Sequence, residues 1–317
     1  MNNLTSAQRG AALLFAIISI GLMLALTGAM TMIMVADAQA VIEASQRQSA
    51  FYVAETGLST SKWEIVESDT GGAEQTVLLL PGGMCSARSY AEVMAEPTLA
   101  GTRMLAVTMP GHAGAPPPND FSTEAYARIT AELAKSAGVD LVVGFSMGAM
   151  VAYEMVVSGA FTGPVVLLGV SLSAPDEPRF FRAIIRLGSV LGTLPCAVLK
   201  KGAATIPKHA AVPPERQAEL QADFARNNTR DMRRGLQAYL RWLHRDDDPA
   251  RRLCETNVPA WVVHAEKGDG ALTQHERATF EACSHVRVVT VPGQVFFLPN
   301  EVPKRIADVI VQALAKT

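Results

Sequence analysis

The stretch Leu141-Val142-Val143-Gly144-Phe145-Ser146-Met147-Gly148-Ala149-Met150-Val151-Ala152 decides the fold. A short continuous apolar run, 141–143, leads into Gly144-x-Ser146-x-Gly148, and a second apolar run, 149–156, has the length of a helix. A strand that turns at once into a helix needs small residues on both sides of the turn, and a serine at its tip then presents its hydroxyl outward. Alone the pattern is weak, since glycine and serine at ordinary abundance produce it in about one chain in ten of this length. The strand before it and the helix after it discriminate. The bland alternative is a Gly/Ser turn with no chemistry.

Working outward, short runs rich in Val and Leu recur at 76–80, 104–108, 165–168, 261–264 and 286–291. Continuous apolar runs of this length suit strands buried on both faces. Helical patterns lie between them, such as Tyr126, Ile129 and Leu133, entered at Ser122 and closed by Gly138. The alternation predicts an α/β fold, a mostly parallel sheet flanked by helices. It is interrupted from 176 to 248, where no strand-like run occurs and 180–191 and 215–244 read as helices. This is expected to be a helical insertion, a lid over the sheet.

Two further turns flank the central one. The strand 76–80 ends in Pro81-Gly82-Gly83-Met84, placed where backbone N–H groups could meet a developing oxyanion, so Gly83 and Met147 are the candidate donors. The next strand ends in Met109-Pro110-Gly111-His112-Ala113-Gly114. With these motifs in this order, residues 75–315 resemble the α/β-hydrolase superfamily, whose small esterase-like members often carry a Pro-Gly-His-Gly turn at this point. The resemblance implies a serine nucleophile at Ser146 and a small-molecule substrate, an ester or thioester. A serine rather than an aspartate at the elbow sets the chain apart from the epoxide hydrolase and haloalkane dehalogenase branch.

The resemblance also implies an acid after a late strand. Trp261-Val262-Val263-His264-Ala265-Glu266-Lys267-Gly268-Asp269 matches that strand and its acidic turn, which makes Asp269 the candidate and Asp176 the fallback. A carboxylate there would fix an imidazole tautomer and stabilise the imidazolium. The family's histidine should fall at Val295 or Phe296, and neither side chain can accept a proton. The six histidines lie elsewhere, and His112 is the candidate substitute base, weighed against a structural role in its own turn, the commoner use of such a residue. His264 is expected to be a satisfied strand-end histidine. Losing the base of a serine triad costs on the order of 10⁶ in kcat. Three explanations stand open: another histidine or a water is the base, the domain binds without turnover, or catalysis has been lost. In the insertion, Phe180, Phe181, Leu187, Leu194, Tyr239 and Trp242 either line an apolar pocket or pack the lid.

Cys85, Cys196, Cys254 and Cys283 show no C-x-x-C spacing and no phosphate-cradling glycine loop is present, so no metal or cofactor is expected. The net charge of −2, without a Lys/Arg block, excludes the electrostatic footprint of a nucleic-acid binder. The 317 residues imply roughly two domains. At 49% hydrophobic, disorder is excluded, and 18% charged residues mark some of the chain as hidden from water.

That portion is N-terminal. Residues 11–36 contain no charge and no proline and would span about 39 Å as a helix, enough for a hydrocarbon core. Apolar positions Val41, Ala44, Phe51, Ala54 and Leu58 continue it as an amphipathic stalk, so residues 1–66 are read as helix and stalk, 67–75 as linker and 76–317 as the second domain. Arg9-Gly10, the following Ala-Ala-Leu-Leu-Phe and Phe51-Tyr52-Val53-Ala54-Glu55 resemble the N-terminal segment of type IV prepilins, particularly minor-pilin-like members. The resemblance implies cleavage after Gly10, an inner-membrane anchor and pilin-like assembly partners, and Arg9 before the run with Asp37 and Glu43 after it places the N-terminus in the cytoplasm and the remainder facing outward. Phe15 stands where most members carry glutamate. If two unrelated coding segments have been joined, the second domain would instead be cytoplasmic.

Overall fold

The computed structural model describes residues 63–68, 73–176, 183, 185–186, 192–203, 205–245, 248–268 and 272–315. The expected membrane helix, stalk and Gly10 lie outside them, as does Asp269. Among the described residues no helix is long and apolar enough to cross a membrane.

Seven strands form one sheet: β1 (Glu64–Ser68), β2 (Thr76–Leu80), β3 (Arg103–Thr108), β4 (Leu141–Phe145), β5 (Val165–Leu168), β6 (Ala260–Gly268) and β7 (Val286–Val295), in the order β1-β3-β2-β4-β5-β6-β7. All neighbours are parallel except β1, which runs antiparallel to β3 from Glu64↔Thr108 to Ser68↔Met104. The sequence reading placed residues 64–68 in stalk and linker; they are the edge strand, and Trp63 before them is buried. The signal was short and half polar, because an edge strand has one neighbour and keeps its side chains partly in water.

The apolar runs alternate between two cores. Leu78, Leu80, Val142, Leu167 and Val262 face one layer, which holds Tyr153 and Phe280. Val77, Leu79, Val143, Val166 and Val263 face the other, with Ile306 and Ile310. Period-2 alternation with both sets apolar is what a sheet covered on both faces requires. The longer helices among the described residues are α1 (Thr123–Ser136), α2 (Met147–Val157), α3 (Leu194–Ala203), α4 (Pro214–Arg226), α5 (Thr229–Leu243), α6 (Pro249–Glu255), α7 (Gln274–Glu281) and α8 (Pro303–Leu314). Ser122 caps α1 by accepting the Ala125 N–H at 3.2 Å, and Gly138 leaves it at φ +64°.

Among the described residues of the insertion there are helices and no strand. Residues 215–244, expected as one helix, are two, because Asn227 turns extended and Asn228 caps α5 through the Arg230 N–H at 2.8 Å. Trp242 is core rather than pocket lining: its indole N–H donates to Glu154 at 3.1 Å and its ring meets Tyr153 edge-on. Leu194 is 64% exposed, while Phe180, Phe181 and Leu187 lie outside the described residues.

The chain leaves β2 for β3 on one side and returns to β4 on the other. The carboxyl ends of β2 and β4 therefore border the crevice that a reversal of winding opens in an α/β sheet.

Candidate active site

Ser146 sits at that crevice, directly after β4 and before α2, with φ +50° and ψ −111°. A non-glycine residue held there costs about 1–3 kcal/mol and persists only where its surroundings fix it. Its N–H donates to the Leu168 carbonyl of β5 at 2.8 Å, and its own carbonyl accepts the Ala149 and Met150 N–H groups at 3.0 and 3.1 Å. The serine is thus pinned to the sheet on one side and starts the helix on the other. Both flanking glycines are demanded by space. A Cβ on Gly144 would be driven into the Gly148 carbonyl, and one on Gly148 into the Leu80 carbonyl at the end of β2. The half-buried serine is presented by a backbone that no larger residues would allow.

The β2 turn lies against this elbow. A Cβ on Gly82 would come within 3.5 Å of the Ser146 Cβ, and one on Gly83 within 3.7 Å of the Met147 Cβ. Gly83 and Met147 are therefore neighbours, as two donors to one oxyanion must be. Met147 opens α2, so its N–H has no carbonyl partner within the helix and stands at the positive end of the helix dipole.

His112 supports this turn from behind. Its Nδ1 accepts the Met84 N–H at 3.0 Å. The neutral ring then carries its proton on Nε2, which is buried without a partner. Burial also pulls its pKa down to about 4. In this arrangement Nδ1 is occupied and Nε2 carries the proton, so the ring acts as a clamp on the turn that follows β2, the structural alternative to its role as substitute base. Met84 is strained, at φ +70°, and is held at its other end by Asn227, whose amide donates to the Met84 carbonyl at 2.9 Å. Asn227 also accepts the Ala113 N–H at 3.0 Å. Four residues earlier, Asp223 accepts both the N–H and the hydroxyl of Ser86. These two buried residues of the insertion tie both sheet-edge turns together, and the sequence reading did not single them out. The adjacent asparagines breaking a helical pattern were the available signal.

The fallback acid Asp176 accepts the Leu172 and Ser173 N–H groups, each at 2.9 Å. Its other oxygen and one oxygen of Glu276 are buried without a hydrogen-bond partner. Burial and the neighbouring Glu276 accordingly raise Asp176 to about 7.

No histidine follows His285 in the sequence. Where one is expected after β7, Val295 is buried, and Phe297 stacks within 6.4 Å of Phe145 and 6.3 Å of Phe224. His264 is satisfied in β6, its Nδ1 bonded to the Ala265 carbonyl at 3.1 Å and its Nε2 receiving Arg277 at 2.7 Å and Thr290 at 3.1 Å. His244 bonds the Leu240 carbonyl at 2.7 Å, His275 pairs with Asp248 at 3.2 Å, and His209 is exposed in the turn Ile206–His209.

The fold is shared with several solved structures. An esterase from Thermogutta terrifontis with malate bound superposes with a TM-score of 0.63 at 17% identity, covering 80% of this chain and 93% of its own. The enol-lactonase from Burkholderia xenovorans LB400 gives 0.65 at 14% identity, covering 80% and 96%. The epoxide hydrolase CorEH gives 0.60 at 18%, covering 80% and 95%. No curated protein matches the chain by sequence. A family model does match it, over residues 77–309, from the second residue of β2 into α8, and the chain belongs to the alpha/beta hydrolase family.

Proposed function

We propose that the chain is a serine hydrolase acting on a small ester or thioester, with Ser146 as nucleophile. The observation that carries this reading is the strained serine at φ +50° on a turn where both flanking glycines are sterically required. In this mechanism Ser146 Oγ attacks the substrate carbonyl while the N–H groups of Gly83 and Met147 receive the charge on its oxygen. The leaving group departs, and water then releases the acyl group from Ser146. Asp269 is the proposed acid. The proton of Ser146 passes to water, since among the described residues no hydrogen bond joins a histidine to Ser146.

This route has a consequence for substrate class. With no imidazole to protonate the leaving group, alkyl esters and amides are poor substrates, and thioesters and aryl esters, which depart as weakly basic anions, are favoured. The N-terminal apolar run, residues 11–36, is proposed to anchor the domain in a membrane, with pilin-like assembly partners as a further expectation.

The second reading is a hydrolase-fold domain that binds without turnover, carried on that anchor. It is favoured by the apolar stack of Phe297, Phe145 and Phe224 on the side where a base is missing. A fluorophosphonate probe on the full chain in detergent, read by intact mass, decides between them. Serine hydrolysis predicts labelling that disappears in Ser146→Ala; a folded, unlabelled native chain supports the binding domain.

A further inference from the structure

Away from the elbow, two cysteines meet beside a histidine. Cys254 lies in α6, and Cys283 in the turn between α7 and β7; both are part-exposed. The Cys254 sulfur sits over the last turn of α7 and donates its S–H to the Thr279 carbonyl oxygen at 3.8 Å, one turn before Cys283. Burial, then the neighbouring Cys283 side chain, push the Cys254 thiol up to about 12. It is therefore the protonated member of the two. His285 contacts the Cys283 sulfur, with Nε2 at 3.5 Å and Nδ1 at 3.7 Å. A sulfur that touches an imidazole able to take its proton has the surroundings of a reactive thiol.

We propose that Cys254 and Cys283 are a reversible redox pair that closes to a disulfide on meeting a small-molecule disulfide, with Cys283 the attacking thiol. Cys283 passes its proton to His285, and the thiolate attacks one sulfur of the small disulfide, whose S–S bond breaks to release one thiol. Cys254 then loses its proton to the solvent and attacks the Cys283 sulfur, and the second thiol leaves. Two cysteines are oxidised and one small disulfide is reduced to two thiols. The closed bridge would join the end of α6 to the approach of β7, around β6 and the segment carrying Asp269. The pair is independent of the hydrolase reading, because neither cysteine takes part in the proposed hydrolysis.

The test is incubation of the full chain with glutathione disulfide, followed by peptide mapping without reductant. The expected result is a Cys254–Cys283 cross-linked peptide lighter by two hydrogens, reversed by dithiothreitol, with Tm raised by about 5 °C through the constrained unfolded chain. Cys254→Ser should stop at one glutathione on Cys283, and His285→Gln should slow closure by about tenfold. Two free thiols in the folded native chain, when a cysteine peptide in the same solution is oxidised, would overturn the proposal. So would glutathione persisting on native Cys283, or a cross-link to Cys85 or Cys196 instead. A first adduct on Cys254 would overturn the order of attack. The native-chain map decides even if a variant does not fold.

Discussion

At the end of β4 the backbone itself shapes the candidate site: a strained serine, two glycines with no room for a Cβ, and the glycine turn of β2 pressed against them. At the end of β7, on the same edge of the same sheet, Val295, Phe296 and Phe297 make an apolar finish, with Phe297 stacked on the ring that immediately precedes the serine. The two regions touch through Phe145 and Phe297, yet they differ in kind. The exposure of Ser146 is a property of chain geometry, which many contacts hold in place. A proton-accepting group is a single side chain, and apolar residues where one is expected leave the fold intact. Backbone geometry and side-chain chemistry are thus set separately.

The sharpest way to break this contrast is Gly148→Ala. The new methyl meets the Leu80 carbonyl, so stability should fall by about 4 kcal/mol or more in urea unfolding. A small loss would show that the elbow is looser than described. The next largest effect concerns the neighbouring carboxyls. Asp176 has a folded pKa of about 7, above its usual 3.8, so its contribution is fully present below about pH 4 and is lost as the pH rises towards 7. Asp176→Asn should flatten that part of the stability profile, by up to about 4 kcal/mol between the two ends. An unchanged profile in the variant would refute the raised pKa of Asp176.

Asn227→Ala leaves the Met84 carbonyl and the Ala113 N–H without their partner, which should cost about 2–3 kcal/mol in thermal unfolding and slow probe labelling at Ser146. Equal labelling rates in variant and native chain would mean that the lid does not set the oxyanion turn. The smallest effect runs in the other direction. Phe296→His places an imidazole where the family carries one, and should raise hydrolysis of an aryl ester by roughly tenfold, well short of a complete triad. No gain would mean that the apolar finish excludes the ring from the serine.

What could be read from the sequence follows the same division. The bounds of β2 and β5, the serine elbow and the capping of α1 at Ser122 were legible because local rules set them: an apolar run, a glycine on each side of a turn, a hydroxyl before a helix. The partner of His112 and the clamp role of Asn227 were not. Each depends on which distant backbone group the fold brings to the side chain, here Met84, and no local spacing encodes that meeting. The edge strand β1 was missed because half of its burial comes from a partner that is distant in sequence. The satisfied state of His264 was legible in kind, from its place inside a strand, though its partners Arg277 and Thr290 were not.

The ties from Asp223 and Asn227 to Ser86, Met84 and Ala113 set a limit on engineering. A designer who exchanges the whole insertion as a cassette, cutting near residues 176 and 248, would import a new pocket and discard the scaffold of the oxyanion turn with it. A graft that retains residues 214–228 and replaces other parts of the insertion would keep that turn in place. Specificity in this fold is portable only where it is not also foundation.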